Sequence, residues 1–292
     1  MAGTLLCKDI KTQDTSKRFL TAKNEKVKKI TILLTLVAVT FCLCMKAQKD
    51  ENGKYAKLVW SDEFNYTGLP DDSKWGYDVG GNGWGNNEKQ FYTDKRLENA
   101  SVKNGVLSIT AIKEDHNGSK YTSARLVSKN KGDWKYGRFE IKAKLPKGLG
   151  VWPAIWMLPT DWKYGGWPES GEIDIMEHVG YLPDSVFGTV HTEAYNHVIG
   201  TQKGTKTSRK DLSEAFHVYT LEWSENEIRI FVDKEHYFTF QNEKKTYKEW
   251  PFDQPFHLLL NMAIGGNWGG KMGIDDSIFP QTMEVDWVRV YQ

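Results

Sequence analysis

Three carboxylates, Glu172, Asp174 and Glu177, interrupt an apolar run made by Ile173, Ile175 and Met176. Burying an unpaired acid is costly, so acids at these positions call for a chemical reason. In an extended strand side chains alternate between faces, which puts Glu172 and Asp174 on one face and Ile173 and Ile175 on the other. Glu177 breaks that alternation. It points into the apolar side unless one extra residue, Ile175 or Met176, is taken up by a β-bulge. With the bulge, all three acids face the same way, and their mutual repulsion raises at least one pKa, setting an acid beside a base. Retaining hydrolysis of a glycosidic bond needs such a pair, one ionised nucleophile and one protonated acid about 5 to 5.5 Å apart.

Two plainer readings compete. A solvated face of an edge strand explains single charged positions, but here Gly171 precedes the run and apolar residues fill every gap. A metal site built from Glu172, Asp174, Glu177 and His178 fails on parity, and no second His/Cys cluster completes it.

The elements that must hold these acids read as strands. Short alternating or apolar runs recur at 56–60, 106–112, 123–128, 137–144, 151–157, 172–177, 186–191, 217–223, 228–232, 256–263 and 284–291. Turn signals separate many of them, most clearly Asn104-Gly105 and Asn117-Gly118. No long stretch keeps a 3.6-residue apolar period, so the expected fold is all-β, a sandwich of two antiparallel sheets. Trp152 and Trp156 fall on one strand face, at the spacing a flat sugar-stacking platform would use; core packing accounts for most of the other tryptophans, 12 in all. The glycine-rich loop at 80–88 lacks the Gly-Lys-Ser/Thr ending of a phosphate loop, which argues against nucleotide binding.

The 292 residues carry a formal net charge of +1, and 39% are hydrophobic, enough for one sizeable core and no bias toward nucleic acid. Lys26, Lys28 and Lys29 precede the apolar run 30–44, and Met45-Lys46-Ala47 offers a small residue before Gln48. This reads as a signal peptide within an N-terminal extension at 1–47, the run being shorter than the roughly 20 residues of a membrane-spanning helix. Val27-Lys28-Lys29 marks an alternative translation start. Cys7, Cys42 and Cys44 all lie in the leader, leaving a mature chain without thiols. Bulky Phe41 and Leu43 argue against a lipoprotein signal, so soluble secretion, with no membrane attachment of the mature form, is the expectation. No linker or repeat divides 48–292, expected to be one catalytic domain and a monomer.

At the level of motifs the chain resembles glycoside hydrolase family 16, and within it the bacterial laminarinases, which are endo-β-1,3-glucanases. The resemblance rests on LVWSDEF at 58–64, GWGNNE at 83–88, YTSAR at 121–125, VWPAIWML at 151–158, GEIDIMEH at 171–178 and MEVDWVRVY at 283–291, in the family's order. It implies a concanavalin A-like β-jelly-roll whose open groove takes a β-glucan. Carried over by motif position, Glu172 is the nucleophile, Glu177 the general acid/base, and Asp174 the carboxylate between them. Asn86, Arg125, Trp152 and Trp156 match positions that hold the sugar on the nonreducing side of the cut. His191 matches a histidine near the acids, and Trp268 lines the groove. No cofactor enters the chemistry. A structural calcium is implied at Glu63, the Gly105 carbonyl and Asp286, hard oxygen ligands that suit the ion.

The expected activity is secreted, endo-acting, retaining hydrolysis of β-1,3-glucan, extending to mixed-linkage β-1,3-1,4-glucan. The rivals are other activities of the family, a lichenase, agarase or carrageenase, and a noncatalytic glucan-binding protein of the same fold. The motif loops around Asn86 and Trp152 argue against the galactan enzymes, and a sulfated galactan would want a basic groove, which turns on where Lys203, Lys206, Arg209 and Lys210 lie. A pure lectin has no use for three mutually repelling carboxylates.

Overall fold

Alternation of buried and open residues marks strands with one face on the core, as in Gly137–Lys144, where Phe139, Ile141 and Ala143 are buried and the residues between them are not, whereas Phe256–Ile264 is buried throughout. The computed structural model describes residues 53–292; the leader, its cleavage site and the proposed boundary at 48 lie outside the described residues. Lys57–Gln292 form a compact unit. In chain order its strands are β1 (Leu58–Asp62), β2 (Gly76–Tyr77), β3 (Gln90–Tyr92), β4 (Ala100–Lys103), β5 (Val106–His116), β6 (Ser119–Ser123), β7 (Arg125–Val127), β8 (Asp133–Trp134), β9 (Gly137–Lys144), β10 (Val151–Pro159), β11 (Glu172–Glu177), β12 (Ser185–His191), β13 (Lys203–Ser208), β14 (His217–Trp223), β15 (Glu227–Val232), β16 (Glu235–Gln241), β17 (Phe256–Ile264) and β18 (Gln281–Tyr291). Among the described residues the helical content is two single 3₁₀ turns, His197–Ile199 and Asp276–Ile278.

One sheet runs β16-β15-β14-β9-β18-β5-β6-β3, with β1 beside β18 and β4 beside β5; the other runs β13-β12-β11-β10-β17-β7-β2, with β8 beside β17. All pairings are antiparallel except β3 with β6. The Asn-Gly signals close hairpins as expected: Asn104 and Gly105 join β4 to β5 with φ of 55° and 78°, and Asn117 and Gly118 join β5 to β6 with φ of 48° and 84°. Between the sheets lies one large core, with Phe139, Ile141, Tyr219 and Leu221 from the first facing Ile155, Ile173, Leu258 and Leu260 from the second.

The eleven expected runs all fall on strands or end beside them, and several strands have no counterpart among them. Strand β13, KGTKTS, is open at every position but one and carries no apolar face, because it is the sheet edge and needs only backbone pairing with β12. The 123–128 run divides at Ala124 between β6 and β7, two strands that belong to different sheets.

The sheet containing β11 has two uses for its two faces. On β17, Phe256, Leu258, Leu260, Met262 and Ile264 enter the core, and His257, Leu259, Asn261 and Ala263 face the other way. Residues directly opposite in an antiparallel pair share a face, so Ala263 and Asn261 bring Trp152 and Ala154 of β10 to that outer face.

Candidate active site

The outer face continues onto β11. Trp156 of β10 stands opposite Asp174, and Ala154 opposite Glu177; on the far side Glu172 meets His191 and Asp174 meets Thr189. Between those pairs β11 takes an extra residue. Ile155 pairs with Met176 and Trp156 with Asp174, leaving Ile175 without a partner on β10, and the register shifts at the same place against β12. This is the bulge that parity demands. Ile175 and Met176 are both fully buried in the core, and the Tyr237 hydroxyl reaches toward the Ile175 carbonyl at 3.5 Å. Gly171, at φ +88°, lets the chain enter β11 against the Phe252 ring, where a Cβ would sit 3.0 Å from a ring carbon.

Each acid has a distinct surrounding. The Trp167 indole N–H donates to Glu172 Oε2 at 2.7 Å, and the Trp152 indole N–H to Glu177 Oε1 at 3.1 Å. Asp174, 2% exposed, has Oδ2 3.4 Å from His191 Nε2. Burial raises the Asp174 pKa well above the carboxylate range, and the charge of Glu172 and a hydrogen bond with it push the same way. Burial also raises Glu177 well above its ordinary value, with Asp174 adding repulsion and the Trp152 hydrogen bond opposing. The sequence argument expected repulsion to lead; in the folded protein desolvation leads and repulsion follows. Both shifts favour the protonated form of Asp174 and of Glu177, beside Glu172 on the same strand face.

Two adjoining cavities flank the acids and share Asn86, Trp152, Glu172 and Glu177 in their walls. Arg125 and Trp156 line one of them, together with Asp174. The other, of about 460 Å³, is lined by His191 and Trp268. Every residue expected at the site therefore borders one of the two. Ala154 and Ala263 leave room above the strands, and the Trp152 ring meets Trp268 edge-on at 5.4 Å. Arg125 lies between the Trp84 and Trp156 rings, its guanidinium 4.6 and 4.7 Å from their centres, with Asp78 at 3.0 Å.

Sequence reasoning passed over Trp84, Glu88, Trp167, His197 and Asn261. Trp167, from a loop, and His197, in a 3₁₀ turn, set their rings against His191 tilted and edge-on, at 5.9 and 5.2 Å, and no strand period could place them. Asn261 carried a signal, since an amide inside the run FHLLLNMAI must find partners when buried. His178 is buried off the site and its Nδ1 pairs with the Ser185 carbonyl at 2.9 Å. The described residues hold one group of three ligand-type side chains in reach of one another, Glu172, Asp174 and His191. Of the basic residues at 203–210, Lys206 shares its face with groove-lining Phe187, Lys203 pairs with core-facing Val190, and Arg209 binds Glu235.

The implied calcium set does not fit a cation as folded. Glu63 is held by both nitrogens of an Arg289 fork at 2.9 and 2.8 Å, and Asp286, the extra residue where β18 slips against β9, pairs with Lys142 at 2.8 Å. Gly105 occupies the β4–β5 turn. Both carboxylates already have positive partners, which a hard cation would have to displace.

Comparison with known proteins agrees with this geometry. A profile of glycosyl hydrolases family 16 matches residues 87–289. A beta-glucanase of Rhodothermus marinus is 53% identical over 277 residues, 92% of this chain and 96% of that one. Among solved structures, the laminarinase from Rhodothermus marinus superposes with a TM-score of 0.80 at 57% identity, covering 81% of this chain and 97% of that one. SCLam, a non-specific endo-beta-1,3(4)-glucanase, gives 0.77 at 50% identity, over 81% of this chain and 91% of its own.

Proposed function

Because the chain belongs to glycosyl hydrolases family 16, we propose that it is an endo-acting β-1,3-glucanase that retains anomeric configuration. The observation that carries this reading is Glu177, half-buried and with its pKa raised well above the ordinary value, held on the same face as Glu172 by the β11 bulge. Glu172, oriented by the Trp167 N–H, attacks the anomeric carbon while Glu177 protonates the departing oxygen. Glu177, now ionised, takes a proton from water, which releases the sugar from Glu172. Burial and the neighbouring Glu172 raise the Asp174 pKa, which opposes the build-up of a second full charge beside the nucleophile. The indoles of Trp152 and Trp156 offer stacking faces to the sugar on the nonreducing side, with Asn86 and Arg125 as hydrogen-bonding partners. The other cavity, bordered by His191 and Trp268, takes the departing chain.

Mixed-linkage β-1,3-1,4-glucan is the second substrate, by similarity to the non-specific SCLam. The basic leader argues for secretion, and the mature chain acts as a monomer on a soluble or particulate glucan. A reducing-sugar assay of the purified protein on laminarin, lichenan, agarose and carrageenan tests the reading. Release from laminarin, with lichenan second, is expected. Release from the galactans alone overturns the substrate, and binding to laminarin with no release from any of the four makes the protein a lectin.

A further inference from the structure

A fourth carboxylate, Glu88, borders the groove, and no step of the chemistry uses it. Its surroundings are donors. Glu88 Oε2 accepts from Gln90 Nε2 at 2.6 Å and from the Tyr92 hydroxyl at 3.4 Å, and Oε1 accepts from Asn86 Nδ2 at 3.3 Å.

The direction of each bond is fixed from its far end. Trp156 Nε1 can only donate, and at 2.6 Å it donates to Asn261 Oδ1, so the amide of Asn261 must present Nδ2 to the Tyr92 oxygen, 2.9 Å away. Having accepted there, Tyr92 sends its own proton to Glu88. Gln90 Oε1 accepts from the Ile264 backbone N–H at 2.7 Å, which turns its amide nitrogen to the carboxylate. Asn86, with Nδ2 on Glu88, is left with its carbonyl oxygen for a ligand. Every donor in the chain from Trp156 to Asn261 to Tyr92 runs toward one acceptor, and an acceptor of three donors with no proton of its own is a carboxylate.

We propose that Glu88 is a positioning residue: it orients Asn86 directly, and Trp156 through Tyr92 and Asn261, so that the sugar site on the nonreducing side is pre-formed before substrate arrives. This rests on the reading that the sugar lies over Trp152 and Trp156. Protonated Glu88 must donate where it now accepts, and Glu88→Gln must do the same, since one side of its amide is always N–H. Both break one arm of the network at unchanged size. Burial raises the Glu88 pKa, against the hydrogen bonds of Gln90, Asn86 and Tyr92 and the Arg125 charge that lower it, so its proton arrives as pH falls and sugar affinity falls with it.

The test compares a Glu172→Gln parent with parent variants carrying Glu88→Gln or Tyr92→Phe, titrated calorimetrically with laminaritriose between pH 4.5 and 7.5. At pH 7, Glu88→Gln is expected to weaken binding by roughly tenfold or more, as for loss of a buried charge-assisted hydrogen bond. The parent should lose affinity as pH falls, and Glu88→Gln should follow a flatter curve, a difference that a merely structural residue would not produce. Tyr92→Phe leaves the carboxylate intact and removes only its link to Asn261; about threefold weaker binding is expected. Equal affinity of Glu88→Gln and the parent at pH 7, or the same acid limb in both, overturns the proposal. A parent that binds no laminaritriose overturns the substrate reading and this proposal with it, whereas a parent that binds beside an unaffected Glu88→Gln variant overturns only the role of Glu88.

Discussion

Replacing Glu177 by Gln should stabilise the protein, by an amount that grows with pH. In an unfolded chain a glutamic acid titrates near about 4.3. In the folded protein burial, and then the charge of Asp174, hold Glu177 protonated to well above that value. Between the two pKa values the folded state binds one more proton than the unfolded state, so unfolding free energy falls with rising pH at about 1.4 kcal/mol per unit for this group. The stabilising contribution of the neutral acid is thus complete below about pH 4 and is lost as pH rises through the folded pKa. Glutamine has no proton to lose, and its side-chain oxygen can accept the Trp152 N–H that now reaches Glu177 at 3.1 Å. The advantage of Glu177→Gln should therefore open from about pH 4.3 upward by as much as ~1.4 kcal/mol per unit, reduced by whatever groove water screens. For a domain of this size that is about 3 to 6 °C of melting temperature per pH unit. Asp174 is present in both proteins, and most of its own slope cancels in the difference. Scanning fluorimetry of the two proteins at half-unit steps from pH 4.5 to 7 measures the gap. A gap that stays constant, or a variant that falls behind as pH rises, means that Glu177 ionises on folding and cannot be the acid of the first step.

Three further outcomes are expected. Glu177→Ala with added azide and an activated aryl glucoside should give the β-glycosyl azide, and Glu172→Ala the α-azide, because azide then enters from opposite faces of the sugar; the reverse pattern by NMR means the two roles are exchanged. Deleting Met176 leaves Glu172, Asp174 and Glu177 in regular alternation on one face, so activity should persist at a cost of about 2 to 5 kcal/mol for the lost core side chain; a natively folded but fully inactive deletion protein, judged by circular dichroism and laminarin release, counts against the bulge. Chelator added to protein prepared in calcium should leave the melting temperature unchanged, since Arg289 and Lys142 already occupy Glu63 and Asp286; a fall of about 3 °C or more restores the calcium site by mass action.

The parity argument worked because a strand imposes one rule on every residue it contains, and a single violation by Glu177 has a single local remedy. The same rule made the all-β class legible, and it placed Trp152 and Trp156 on the groove face with the acids. It fails where a side chain arrives from outside the strand. Trp167 comes from a loop and His197 from a 3₁₀ turn, and Glu88 acquires its proposed role only when β3 brings Gln90 and Tyr92 beside it and β17 supplies Asn261. For a related reason the carboxylates Glu63 and Asp286 were readable in the sequence, and their partners Arg289 and Lys142, brought in by pairing across β18, were not.

Desolvation ahead of repulsion is the largest difference between the folded site and the expectation from three acids on one strand face. Three acids on one face repel one another in water only weakly, because the high dielectric screens them. Burial is the larger cause of the raised pKa at Asp174 and Glu177, and on the proposed reading the tryptophans that border the same groove also form the sugar platform. Trp152 borders the groove and gives its N–H to Glu177. Trp167 gives its N–H to Glu172 and lies tilted against His197 at 5.0 Å. A glucan laid over these rings removes further water from the same carboxyls, which raises Glu177 again at the moment its proton is needed. Sugar binding and proton donation are therefore coupled through one set of indoles, and the abundance of tryptophan in this chain is in part an electrostatic feature of the site.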